Sequence, residues 1–232
     1  MTGLFRRHLR ASIVLMNKKL FAEFFGTLIL LAVITGSGIM GGALSDGNNA
    51  VALLGNSIAT GAGLYVLISI LAPVSGAHFN PAVSLMFWAS GELEPKELAG
   101  YCVAQFTGAI AGIWMTHLMF SLPIIQVSAK PREGLGILVS ELAATVILLM
   151  VIQLGIKQQN DKVPAYVAMT VMAGYWFTSS TFFVNPAVTV ARSLTDTFVG
   201  MRPLDILGFI AAQLAACCLV VVATKFSRRS KY

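Results

Sequence analysis

Ser75-Gly76-Ala77-His78-Phe79-Asn80-Pro81-Ala82-Val83 is a glycine-punctuated, partly polar stretch inside an otherwise very apolar chain, and its Asn-Pro-Ala tripeptide returns as Asn185-Pro186-Ala187. Asn followed by Pro reads as a helix N-terminus. Asn is a favoured N-cap, and Pro suits the first helical position, where its missing N–H would have had no partner. Two short helices therefore begin where a membrane-spanning helix would simply continue. The backbone leading into each, over 74–79 and 179–184, is expected to be non-helical. At membrane depth such backbone is tolerated only when buried in protein or lining a water-filled path.

The bilayer follows from composition. Of 232 residues, 56% are hydrophobic and 11% charged. Runs of about 20 apolar residues, the length that crosses a bilayer, place six spans near 20–42, 50–72, 97–120, 136–156, 163–180 and 204–224. They lack the polar face of a soluble helical bundle. The stretches 73–90 and 181–194 are too short and too polar to cross alone. The net charge of +6 is concentrated in Arg6, Arg7, Arg10, Lys18 and Lys19 before the first span and Lys225, Arg228, Arg229 and Lys231 after the last. With Lys157 and Lys162 beside the fourth connection, the positive-inside rule places both termini in the cytoplasm. These basic ends are read as topology determinants, not as a nucleic-acid surface. Residues 1–17 form a cytoplasmic tail, 18–224 a single domain, and 225–232 a second tail. No cleavable signal is expected. Cys102, Cys217 and Cys218 lie within spans, with neither disulfide nor metal-type spacing, and no cofactor is implied.

The domain contains a repeat. Glu23, Asn80-Pro81-Ala82 and Gln105 in the first half match Glu141, Asn185-Pro186-Ala187 and Gln213 in the second, giving repeats of 18–120 and 136–224. Three spans per repeat is an odd number, so the halves take opposite orientations. Their broken helices then meet N-terminus to N-terminus near the midplane. Helix N-termini carry partial positive charge and free N–H groups, which repel cations, while the Asn amides offer donors to a passing solute. Glu23 and Glu141 are costly inside a bilayer and need partners. They are read as acceptors for N–H groups of their own repeat's irregular loop rather than as a proton relay. Gln105, Gln213 and His78 are read as supports of the same loops.

Ala22-Glu23-Phe24-Phe25-Gly26-Thr27, the 75–83 stretch and the second Asn-Pro-Ala resemble the aquaporin/glycerol-facilitator family over almost the whole chain. The resemblance implies an all-α membrane protein: a right-handed bundle of six helices and two half-helices, a pore in each subunit and a homotetramer in lipid. It also implies passive flow of water or small neutral solutes. The family's four-residue filter, carried over from each Asn, falls on Thr60, Ala173 (Gly174 if the loop shifts by one), Phe182 and Val188. Nearly all members have an arginine at the last of these. Val188 and the small Ala173 imply a wider, more apolar constriction that admits solutes larger than water. Arg192, one turn beyond Val188, either curls into the vestibule or lies at the interface, where Asp196 is within reach; the sequence slightly favours the second. The run 185–192 resembles a bacterial subgroup associated with arsenical permeation, which suggests a bacterial inner membrane. Thr189 stands where glycerol facilitators carry Asp.

A passive channel is favoured over two other classes, and within the channel class the rival is a water-selective pore with an atypical filter. An ion-coupled transporter would need a coupling site at the midplane, where the only acids are the two already assigned to loops. An enzyme finds no catalytic constellation: His8, His117 and His78 are isolated from one another in sequence.

Overall fold

The computed structural model describes residues 2–158 and 161–229, with side chains over 14–158 and 161–226. The described residues form helices and no strand. Six long helices are α1 (Thr2–Leu44), α2 (Asn49–Ser75), α4 (Pro95–Met119), α5 (Leu135–Lys157), α6 (Val163–Phe177) and α8 (Ile206–Arg229). Two short helices, α3 (Pro81–Ala89) and α7 (Pro186–Ala191), sit between α2 and α4 and between α6 and α8. Among the described residues, five helices are long and apolar enough to cross a bilayer, and α6 is shorter at 15 residues. The expected spans all fall on these helices. The backbone from Thr2 onward is continuous with α1.

Small residues bring the helices together. Gly108 and Gly112 of α4 lie so close to the carbonyls of Phe24 and Leu28 in α1 that a Cβ at either would overlap an oxygen. Gly61 of α2 accepts the Met172 side chain of α6 in the same way. Without a hydrophobic driving force between helices in lipid, such close packing is what holds a membrane bundle.

The two loop boundaries differ from expectation. Helix α2 runs on through Pro73 to Ser75 and ends at Gly76, whose φ of 88° suits a residue without a Cβ. The first irregular stretch is therefore 76–80. Helix α6 ends at Phe177 instead of 180, and the second stretch runs over 178–185. The second loop is the longer of the two.

Candidate functional site

Asn80 and Asn185 are the N-caps of α3 and α7, each side-chain Oδ1 accepting the N–H two residues on, from Ala82 and Ala187, at 2.9 Å. Pro81 and Pro186 occupy the first helical position as read from sequence. Each Asn Nδ2 donates to the carbonyl just before the other Asn: Asn80 to Val184 at 2.7 Å, Asn185 to Phe79 at 2.8 Å. This reciprocal pair locks the two helix starts together. An amide carries two N–H donors, so each Asn keeps one, and both residues line the cavity.

The loops behind them are held by the buried acids. Glu23 accepts N–H bonds from His78 (2.9 Å) and Phe79 (2.7 Å), the Ser75 hydroxyl (2.7 Å) and Gln105 Nε2 (2.8 Å). Glu141 accepts from Val184 N–H and from Gln213 Nε2. Gln105 and Gln213 also reach the hydroxyls of Ser84 and Thr189, both at 2.9 Å. The His78 ring meets Ser84 at 3.0 Å and stacks on Phe87. These bonds stabilise strained backbone: Ala77, Phe79, Phe182 and Val184 all have φ near +50°, a region rarely occupied by non-glycine residues.

A cavity of about 310 Å³ runs past both Asn residues, from Ile156 and Val163 at one end to Arg192 at the other. Most of its wall is aliphatic, supplied by residues such as Leu64, Ile68, Leu148 and Ile152. Thr60, Phe182, Val188 and Tyr175 belong to its wall together with Arg192.

Ala173 is not part of that wall. It lies on the exposed face of α6, while Gly174 is packed against the Phe182 ring and Tyr175 faces the cavity. Two residues turn a helix by about 200°, so a register two positions off selects the opposite face. Counting back from Asn185 thus selects the wrong face of α6, although the same count from Asn80 lands on Ile68, which does line the cavity. The Tyr175 hydroxyl meets Thr60 Oγ1 at 3.3 Å across the site.

Arg192 takes the less favoured of its two expected courses. It is 2% exposed, donates Nε–H to the Val199 carbonyl, and its guanidinium lies 3.6 Å from the centroid of the Phe183 ring. Asp196 does not pair with it; that carboxylate accepts from Ala129 N–H and the Ser128 hydroxyl. Sequence reasoning missed Arg132. Its guanidinium lies over the same Phe183 ring at 4.9 Å and bonds the Gly200 carbonyl and Thr181 hydroxyl. Burial pushes its pKa down to about 10, so it stays charged at neutral pH. His117, isolated in sequence, has partners in the fold. Its ring nitrogens bind the Ile124 carbonyl (2.8 Å) and Thr195 Oγ1 (2.9 Å), tying together the loops around this mouth.

A membrane-embedded helical bundle with two opposed half-helices and a lined path between them defines a channel. The chain belongs to the major intrinsic protein family, whose description matches residues 10–178. It is 48% identical over 209 residues, 89% of each chain, to Aquaglyceroporin AqpS of Rhizobium meliloti (strain 1021). A shorter match of 39% identity, covering 46% of each chain, is to Aquaporin Z of Brucella melitensis. The fold is similar to that of the aquaglyceroporin from Plasmodium falciparum, with a TM-score of 0.65, 22% identity and coverage of 90% of this chain and 93% of that one. The protein is thus a multi-pass membrane channel for water and small solutes, and not an enzyme.

Proposed function

We propose that the channel conducts small uncharged solutes such as glycerol and urea together with water, with undissociated arsenite and methylated arsenicals within its size and hydrogen-bonding range. The observation that carries this reading is a cavity in which two Asn amides and a Thr60–Tyr175 hydroxyl pair punctuate an aliphatic wall. A polyol needs such a wall: hydrogen-bonding groups on one side and apolar surface for its carbon backbone on the other. The similarity to an aquaglyceroporin supports the same solute class.

Thr60, Tyr175, Phe182 and Val188 form the constriction. Val188 leaves space where the family resemblance puts arginine, and Arg192 returns a guanidinium to the mouth from one turn further along. That fixed charge, with the two helix N-termini at the Asn pair, excludes cations. The Arg192 mouth faces outward, both termini are cytoplasmic, the membrane is a bacterial inner membrane and the subunits form a homotetramer in lipid, each with its own pore.

Swelling of proteoliposomes in gradients of glycerol, urea and arsenite, beside their osmotic water permeability, tests the reading. All should pass. Rapid water flow with complete exclusion of glycerol would make this a water-selective pore and overturn the solute assignment.

A further inference from the structure

The wall at the Arg192 mouth carries more positive charge than a path for neutral solutes needs. Arg192 is nearly fully buried yet lines the cavity. Only its Nε–H is used, on Val199. The two terminal nitrogens carry four further N–H donors, and these have no partner among the described residues. The ion pairs among the described residues are Lys19–Glu97, Arg202–Glu133 and Arg202–Asp205, so none involves Arg192. The nearby acids hydrogen-bond other groups: Glu141, which acts on Arg192 only at longer range, holds Val184 and Gln213, and Asp196 holds Ala129 and Ser128.

The neighbours reinforce the charge. Arg132 shares the Phe183 ring with Arg192. Lys130 donates to the Phe198 carbonyl at 2.7 Å. Burial, and then the charges of Arg132 and Arg192, push the Lys130 pKa below its ordinary value, as expected of three cations sharing one field. A buried charge that makes no direct ion pair is costly, and low-dielectric walls strengthen its pull on an anion. The Thr60 and Tyr175 hydroxyls use one hydrogen between them, leaving the other free to donate.

We infer that the Arg192 mouth is a binding site for a small monovalent oxyanion, held by the terminal N–H groups of Arg192 with the Thr60–Tyr175 hydroxyl pair, in a field reinforced by Arg132 and Lys130. The planar guanidinium presents paired donors that match two oxygens of such an ion. The bound anion stands in the cross-section that a neutral solute must cross, so occupancy stops flow. It does not travel on, because the wall beyond, at Val171, Val167 and Leu148, is aliphatic and a dehydrated charge is expensive there. The inference deepens the channel reading at the same site and uses conduction only as one readout.

The test is stopped-flow water permeability of proteoliposomes in sodium nitrate against sodium gluconate at matched osmolarity. Nitrate has no neutral form at neutral pH, and gluconate is too large to enter. Nitrate should reduce permeability saturably, about two-fold at half occupancy. The effect should vanish in R192Q and shift to higher nitrate in R132Q. A formate series distinguishes a carboxylate from an inorganic oxyanion: the ion that blocks at lower concentration names the class. Equal permeability in nitrate, formate and gluconate at every concentration overturns the site, and so does a block that survives R192Q. If R192Q does not reconstitute, calorimetric titration of the wild-type protein with nitrate decides, and no heat above the gluconate control overturns the site. Glycerol flux in gluconate alone reports on the channel reading, so the two can fail separately.

Discussion

In the first repeat the His78 ring, two residues before Asn80, stacks on Phe87, seven after it, at 4.5 Å. In the second repeat Phe183 and Arg192 hold the same two places relative to Asn185 and meet at 3.6 Å. One loop-to-helix contact, repeated across the pseudo-symmetric halves, thus has a ring as its second member at one mouth and a guanidinium at the other. The scaffold around it hardly changes: acid to loop N–H, Gln to acid, Gln to Ser84 or Thr189, Asn to the opposite carbonyl. The repeat fixes where a side chain at that place must sit, and the side chain decides what that mouth does. Arg192 faces the cavity because its position in the repeat is an inward one.

Removing the acids breaks the shared part and should have the largest effect. Glu23→Ala leaves the N–H groups of His78 and Phe79, the Ser75 hydroxyl and a Gln105 N–H without their acceptor. Glu141→Ala leaves the Val184 N–H and a Gln213 N–H. Each stranded buried donor costs about 1–3 kcal/mol. Both variants should lose thermal stability in detergent and water permeability in liposomes, Glu23→Ala more than Glu141→Ala. Equal losses would mean that the two loops are held with equal strength despite these different bond sets.

Gly26→Ala sharpens the same contrast. A Cβ at Gly26 would overlap the Phe79 ring. The equivalent residues of the second repeat are Ala144 and Val184, where a smaller side chain faces a larger one. Overpacking of this kind costs roughly 1–3 kcal/mol. A lower melting temperature is expected for Gly26→Ala, with recovery in Gly26→Ala/Phe79→Val. Absence of that recovery would show that the two sites do not exchange volume.

The scaffold was largely legible because it rests on local chemistry. Asn-Pro is a cap that declares itself, and Glu or Gln inside an apolar span requires a partner that the repeat supplies. The mouth was less so. Counting from Asn185 selects Ala173 and passes over Tyr175, because a count along the chain does not fix which face of α6 turns inward. Arg192 was visible as a candidate, but one turn of helix leaves its direction open; the signal that settles it is the pairing of positions two before and seven after each Asn. Arg132 and His117 meet this mouth through long connections, which no local pattern encodes.

Replacing Arg192 removes what distinguishes the second repeat. Arg192→Ala gives up a cation–π contact worth about 0.5–2 kcal/mol and one bond to Val199, so the protein should remain folded. Its water permeability should stay close to wild type, while cation current across planar bilayers rises from background. Phe183→Leu should raise the current less, since Val199 still holds the guanidinium. Unchanged cation exclusion in both variants would move the whole barrier to the helix N-termini at the Asn pair.

The smallest expected effect belongs to Tyr175→Phe, which tests whether α6 and not only α7 shapes the mouth. The substitution keeps the ring and removes a 3.3 Å hydroxyl contact with Thr60, long enough that its loss should cost at most about 1 kcal/mol. Stability should therefore move little. Selectivity should move more, because one of the few polar groups on that part of the wall disappears and the bare Thr60 hydroxyl must satisfy itself on whatever passes. Water permeability should hold while glycerol permeability falls relative to it, and Ala173→Val, on the exposed face of the same helix, should change neither. If Ala173→Val alters the glycerol-to-water ratio and Tyr175→Phe does not, then α6 is rotated from the register described above, and the wall of the constriction must be redrawn around Ala173.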